Sequence, residues 1–224
     1  MSGYYSEKLS GKRLRQCYEI APPRILQYLE TEANYVLRKI HSGDAVLELG
    51  CGYGRILLLL ARKAGQVYGV DTSEESLGLA QEMLKGISNC HLYCMNAVKL
   101  AFPDHMFDVV VCIQNGISAF HVNQEDLIRE TIRVTRPKGT ILFSSYSQKI
   151  WKDRLEWFEL QSKAGLVGKI DLEKTRDRVI VCKDGFAATT VGPEQFLALT
   201  SRFNVNAKIV EVDESSLFCE IVSG

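Results

Sequence analysis

Long apolar runs are missing from this chain of 224 residues. The longest, residues 56–61, is far too short to span a bilayer. The opening Met-Ser-Gly-Tyr-Tyr-Ser-Glu-Lys lacks the apolar core of a signal peptide. Charge of one sign is not in excess either: Lys plus Arg number 27 and Asp plus Glu number 27. That balance gives no electrostatic reason to expect nucleic acid or a membrane as the main partner. Lys12, Arg13 and Arg15 form a small basic cluster, read as a solvated helix face. No CxxC pair occurs. The seven cysteines, Cys17, Cys51, Cys90, Cys94, Cys112, Cys182 and Cys219, are odd in number and scattered through apolar segments. They do not form a disulfide framework or a zinc spacing, so no metal site is expected. Such usage suits a reducing compartment and points to a cytoplasmic location. His41, His91, His105 and His121 do not cluster, and there is no internal repeat or low-complexity segment.

What is present is a change of grammar along the chain. In the first forty residues Leu26, Leu29, Ala33, Val36, Leu37 and Ile40 recur at spacings of three and four, as one buried helix face requires. Pro22 and Pro23 separate this helix from a shorter one over residues 10–20. From residue 45 onward, short apolar runs alternate with helical stretches. Strands are predicted over 45–49, 66–70, 90–95, 107–113 and 140–145. Helices are predicted over 55–64, 73–84 and 124–134, with a turn at 136–139. Thr72 or Ser73 can cap the second of these helices. Short connections between alternating elements build a parallel sheet with helices on both faces.

The last third predicts a helix over 149–164, a hairpin around Lys183-Asp184-Gly185, a helix opened by Gly192-Pro193, and strands over 207–212 and 217–222. The expected fold is α/β: Rossmann-like, doubly wound, with a mostly parallel seven-stranded sheet and an N-terminal helical segment. One domain over 1–224 is expected. It comprises a helical cap (1–41), a cofactor-binding core (42–145), an insertion after strand five that acts as a lid (146–191), and a closing helix and strand pair (192–224).

The informative segment is Glu48-Leu49-Gly50-Cys51-Gly52-Tyr53-Gly54. A buried strand runs into three glycines at alternate positions and then a helix. Glycine permits a tight turn and brings backbone against a ligand without a Cβ clash. Asp71 ends the second strand, where a carboxylate can accept hydrogen bonds from both hydroxyls of a ribose. The ligand is therefore expected to be a nucleoside. A dinucleotide loop needs Gly-x-Gly-x-x-Gly, and neither Arg55 nor Leu57 supplies the third glycine.

The run from Asp44 to Ser145 resembles the class I S-adenosylmethionine-dependent methyltransferases. The glycine segment matches the family's first motif and Val70-Asp71-Thr72-Ser73 its acidic second motif. Asn96-Ala97 stands where the family usually has Asp-Ala. Phe107 to Cys112 matches the fourth-strand motif and Arg136-Pro137-Lys138-Gly139-Thr140 the turn that follows. The resemblance implies S-adenosylmethionine as cofactor. Gly50, Cys51, Gly52 and Gly54 would then lie near its methionine part, Asp71 on the ribose, Thr72, Asn96 and Ala97 beside the adenine, and Gln114 at the end of strand four. It implies methyl transfer by in-line displacement to a small-molecule acceptor, with no nucleic acid or membrane partner. The alternatives are a methyltransferase acting on protein or RNA, and a non-catalytic S-adenosylmethionine-binding protein.

No catalytic residue stands out. Glu48 is expected to support the glycine loop, satisfied by its N–H groups or by a nearby cation. His121 is read as a solvated loop residue in preference to a general base. Tyr4, Tyr5, Cys17 and Tyr18 belong either to a segment that closes over the cofactor or to ordinary helix packing. Trp151, Trp157 and Phe158 are read as core residues of their helix, with Trp151 as a possible wall of an acceptor pocket.

Overall fold

The computed structural model describes Tyr4 and residues 8–224. Helices α1 (Gly11–Glu19) and α2 (Pro23–Leu37) lead the described chain. Pro23 opens α2 because proline lacks an N–H and is tolerated only in a helix's first turn. Five strands follow: β1 (Ala45–Leu49), β2 (Gln66–Asp71), β3 (Cys90–Cys94), β4 (Phe107–Cys112) and β5 (Thr135–Tyr146). Helices α3 (Leu57–Leu60), α4 (Glu74–Met83), α5 (Gly116–Ala119) and α6 (Gln124–Val134) connect them. After β5 come α7 (Trp151–Lys163), the small hairpin β6 (Ile180–Val181) and β7 (Ala187–Ala188), α8 (Pro193–Thr200), β8 (Asn206–Val212) and β9 (Ser216–Val222).

The main sheet has seven strands in the order β3-β2-β1-β4-β5-β9-β8. The first five are parallel, and β9 runs antiparallel to both β5 and β8. The α/β doubly wound sheet expected from the alternation is therefore the sheet that forms. β1 lies between β2 and β4, so the winding reverses at the carboxyl end of β1, where open α/β sheets hold their ligands.

The core follows from the two-residue period of a strand. Leu47 and Leu49 of β1, Val110 and Cys112 of β4, and Ile141 and Phe143 of β5 pack on one face with Leu127 and Ile128 of α6. Val46, Val109, Val111 and Leu142 pack on the other with Val36 of α2 and Leu57 of α3. Both faces are covered, which is why the central strands read as continuous apolar runs.

Three local expectations change. Leu26 is not on the buried face of α2: it is 50% exposed, and that face is completed by Ile25, Tyr28 and Glu32. The helix expected over 55–64 is reduced to Leu57–Leu60. The Asn89 side-chain amide caps the carbonyls of Ala61 and Ala64, at 2.9 and 3.2 Å, and the chain turns at once into β2. The expected turn at 136–139 is absorbed within β5. Register slips there between Phe107 and Val109, and Lys138 takes φ 64°. The segment stays bonded because Lys138 N–H reaches the Ser223 carbonyl and Ser223 N–H the Gly139 carbonyl.

Beyond β5, Phe158, Val167, Ile180 and Phe186 form a further apolar cluster that also takes in Leu9 and Cys17 from the start of the described chain. The segment after β5 thus packs directly on the N-terminal one.

These burials give a paired test. Leu47 is fully buried in the central strand, so Leu47→Ala is expected to cost about 2–5 kcal/mol. Leu26→Ala should change stability by less than about 0.5 kcal/mol. Denaturant unfolding of both variants measures the difference; equal losses would contradict the placement of α2.

Candidate functional site

Gly50 and Gly52 adopt φ of 71° and 52°, the left-handed region that glycine enters without a Cβ penalty. The loop they form is fastened to β2. Gly50 N–H and Cys51 N–H both donate to the Val70 carbonyl, at 2.8 and 3.0 Å. Gly52 N–H donates to Asp71 Oδ2 at 2.9 Å, and Gly54 N–H to the Cys51 carbonyl at 3.0 Å. These four donors are therefore spent on holding the turn and do not face a ligand. Asp71 also accepts from Ser73 N–H at 2.8 Å through Oδ1. Ser73 in turn caps α4 by accepting from Ser76 N–H. One carboxylate thus joins the end of β2, the glycine loop and the start of α4. Burial raises the Asp71 carboxyl above its ordinary range, with the backbone donors opposing that shift.

The end of β4 is built differently. Gln114 and Asn115 take φ of 54° and 63°, a left-handed pair without glycine. Such a conformation persists only where the surroundings hold it. Gln114 N–H donates to Glu32 Oε2 at 3.0 Å, Asn115 Nδ2 to the Thr189 carbonyl at 2.9 Å, and Ser145 Oγ to Asn115 Oδ1 at 2.8 Å. Glu32 is fully buried on α2 and also accepts from Tyr28 and Ser216 hydroxyls, at 3.1 and 2.7 Å. Burial pushes its carboxyl up while these donors favour the anion. Sequence reading missed Glu32. A glutamate among apolar positions at helical spacing was the available signal.

Helix α1 closes the space above these loops. Gly11 N–H donates to Ser76 Oγ at 2.9 Å, tying the start of α1 to α4. The Tyr18 hydroxyl donates to Gln114 Oε1 at 2.7 Å, and Trp157 Nε1 donates to the Cys17 carbonyl at 2.8 Å. Tyr4 donates to Asp184 at 2.7 Å, while Tyr5 lies outside the described residues.

Together these elements enclose a cavity of about 280 Å³. Gly50, Asp71, Thr72, Asn96, Ala97 and Gln114 line it. Cys51, Gly52 and Gly54 are buried and are not in its wall; the Cys51 thiol instead packs toward Gly69 on β2. Thr72, Asn96 and Gly50 are exposed at the mouth. Asn96 Oδ1 is already engaged by Val98 N–H at 3.1 Å. Cys17, Tyr18, Trp157 and Phe158 line the opposite, inner end, whereas Trp151 and the exposed His121 do not line the cavity. Among the described residues no lysine, arginine or histidine lines it, and no group of three or more metal-binding side chains occurs.

Glu48 departs from expectation. Its side chain is buried in the cavity wall and Oε2 has no hydrogen-bond partner among the described residues. The N–H groups of Gly50, Cys51, Gly52 and Gly54 go to Val70, Asp71 and Cys51, and none bonds Glu48. Burial pushes the Glu48 carboxyl up to about 8; Arg55 opposes the shift and Asp71 adds to it. Gln114 Nε2 is a second buried atom in this wall without a partner. Burial also raises the Cys17 thiol, to about 12, so it stays protonated at neutral pH.

Comparison with known proteins places this geometry. Residues 46–139 match a family described as "Methyltransferase domain". An uncharacterized methyltransferase of Schizosaccharomyces pombe is 32% identical over 128 residues, covering 50% of this chain and 43% of that protein. A demethylmenaquinone methyltransferase of Geobacillus kaustophilus is 31% identical over 150 residues, covering 63% and 61%. The chain spans about half the length of the curated relatives it matches. The crystal structure of PH0226 from Pyrococcus horikoshii aligns with TM-score 0.68 and 23% identity over 91% of this chain and 92% of that one, a likeness of fold. No helix among the described residues is long and apolar enough to cross a membrane.

The buried carboxylate predicts a pH effect with a definite sign. Between pH 4.5 and about 8 the folded protein keeps a proton on Glu48 that the unfolded chain releases. Its contribution therefore becomes more destabilising as pH rises through that window. Glu48→Gln is expected to stabilise the free protein increasingly from pH 4.5 to 8, with little effect at pH 4. Thermal unfolding across pH measures it; a stability gain that does not grow with pH would contradict the orphaned carboxylate.

Proposed function

We propose, from the premise that the chain belongs to the class I S-adenosylmethionine-dependent methyltransferases, that it moves a methyl group from that cofactor to a small molecule held at the inner end of the cavity. The carrying observation is the Asp71 carboxylate beside a buried Glu48 carboxyl whose Oε2 has no partner, in a wall that holds no lysine, arginine or histidine among the described residues. S-Adenosylmethionine has a sulfonium and an ammonium, and this wall suits positive charge. A dinucleotide pyrophosphate would meet the Asp71 carboxylate and a glycine loop that spends the N–H groups of Gly50, Cys51, Gly52 and Gly54 on its own turn.

The residues fit the cofactor in order along the wall. Glu48 and Gln114 face its methionine part, with Gly50 leaving backbone surface free of side-chain bulk. The Asp71 carboxylate keeps lone pairs for the ribose hydroxyls beyond the two backbone donors it holds. Thr72, Asn96 and Ala97 flank the adenine, and Asn96 can donate through Nδ2 because its oxygen is engaged. Cys51, Gly52 and Gly54 act from behind the wall by holding the turn.

Bound there, S-adenosylmethionine would supply an activated methyl carbon, the acceptor's lone pair forming the new bond as the carbon–sulfur bond breaks, its electrons passing to sulfur and any proton on the accepting atom leaving to water. The chain's own contribution is placement and exclusion of water. α1 and the segment after β5 form the lid, and Tyr18 fixes Gln114 through its hydroxyl. The buried inner end favours a small acceptor over a protein or RNA. The relatives' named acceptors differ, so the family alone does not choose one.

Asp71→Asn retains an acceptor oxygen but loses the charge, and should weaken S-adenosylmethionine binding by about 1.5–3 kcal/mol. The function itself is tested by S-adenosylhomocysteine release over a panel of small acceptors, with isotope from the labelled methyl recovered in the acceptor. Tight cofactor binding with no transfer to any of them, alongside transfer to cell RNA or protein, would overturn the small-molecule reading.

A further inference from the structure

The inner end of the cavity has a chemistry of its own. Residues Arg154, Trp157, Phe158 and Gln161 recur at spacings of three, one and three, and form the buried face of α7. Three of them, Trp157, Phe158 and Gln161, line the cavity; Arg154 lies behind it. Cys17 and Leu29 face them from α1 and α2, and Tyr146 from the end of β5. Trp157 and Phe158 are each only 5% exposed and Gln161 3%, so this end of the cavity is its most buried part.

Two features limit what it can hold. The first is Arg154, whose guanidinium stacks over the rings of Tyr146 and Phe158, 4.5 and 5.6 Å from their centroids. It also donates to the Arg178 and Ala188 carbonyls. A cation on one face of a ring draws electron density away from the other face. The chamber wall is then a poor host for a second cation and a good one for an electron-rich ring. An anion would find no lysine, arginine or histidine in the wall itself. The second feature is Gln161. Its side-chain amide makes no hydrogen bond to another described residue, although the residue is almost wholly buried. Its amide is therefore free to bond whatever occupies the cavity it lines.

We propose that this chamber is the methyl-acceptor subsite, that it takes an uncharged planar molecule carrying a hydroxyl or carbonyl oxygen, and that Gln161 is the residue that recognises that oxygen. The inference rests on the cofactor reading above and adds the acceptor class to it. Tyr146, Trp157 and Phe158 supply stacking surface, and Gln161 supplies both a donor and an acceptor. Specificity follows from what is absent from the wall as much as from what is there, because a charged analogue must be desolvated without a counter-charge.

The test separates the two readings. S-Adenosylhomocysteine is titrated first by calorimetry; failure to bind counts against the cofactor reading alone. With it bound, 2-naphthol, 2-naphthoate and 2-naphthylmethylammonium are compared at pH 7, together with naphthalene. The chamber is expected to bind 2-naphthol at least ten-fold more tightly than either ion. Gln161→Met should lose roughly ten-fold for 2-naphthol while leaving naphthalene and S-adenosylhomocysteine affinities unchanged, a pattern that a merely structural role would not produce. Equal or tighter binding of an ion, or no binding of 2-naphthol beside bound S-adenosylhomocysteine, overturns the acceptor class. Unchanged 2-naphthol affinity in Gln161→Met removes Gln161 from it. The wild-type series decides the acceptor class even if the variant fails to fold.

Discussion

Asp71 ends β2 with a carboxylate that accepts Gly52 N–H on one oxygen and Ser73 N–H on the other. The rest of the site is arranged around that pair of bonds. They fix the glycine loop against β2, set the start of α4, and leave the remaining lone pairs at the edge of the cavity. Because the loop spends its own N–H groups on β2, the neighbouring Glu48 is left with a buried oxygen and no donor. The charge of the cavity therefore follows from how the loop is fastened. Two acidic side chains stand in one wall, Asp71 bonded through both oxygens and Glu48 with Oε2 unpartnered, and burial pushes the carboxyl of each up.

The cavity is graded from that point inward. Its mouth is polar and exposed at Gly50, Thr72 and Asn96. Its inner end is largely apolar and buried, with α1 pinned on one side to α4 through Gly11 and on the other to α7 through the Cys17 carbonyl. Those anchors belong to segments remote in sequence, joined by an apolar cluster that includes Leu9, Phe158 and Phe186. A methyl donor at the polar end and an acceptor at the apolar end would meet near Gln114, whose backbone the buried Glu32 holds in a left-handed conformation.

Much of this was legible in the residues. The alternation of apolar runs and helical stretches specified the sheet, since strands covered on both faces leave no other pattern. The three glycines and Asp71 marked the ligand end of β1 and β2 through backbone freedom and charge. Less was legible where tertiary bonds override local preference. Residues 55–64 have helical composition, yet Asn89 caps the segment after one turn. Leu26 fits the helical period of α2 and still faces solvent, while Ile25, Tyr28 and Glu32 lie in the buried face. Glu32 left only the signal of a glutamate among apolar positions and Gln161 left none: the role of each depends on partners, or on the lack of them, that only the packed chain decides.

The most direct test is calorimetric titration of the purified chain, freed of co-purified ligand, with S-adenosylmethionine and NAD in separate experiments. A wall with the Asp71 carboxylate, a buried Glu48 and a loop whose four N–H groups at Gly50, Cys51, Gly52 and Gly54 are spent on the turn predicts micromolar binding of S-adenosylmethionine and none of NAD. Binding of NAD alone would contradict the account of the cavity at its foundation.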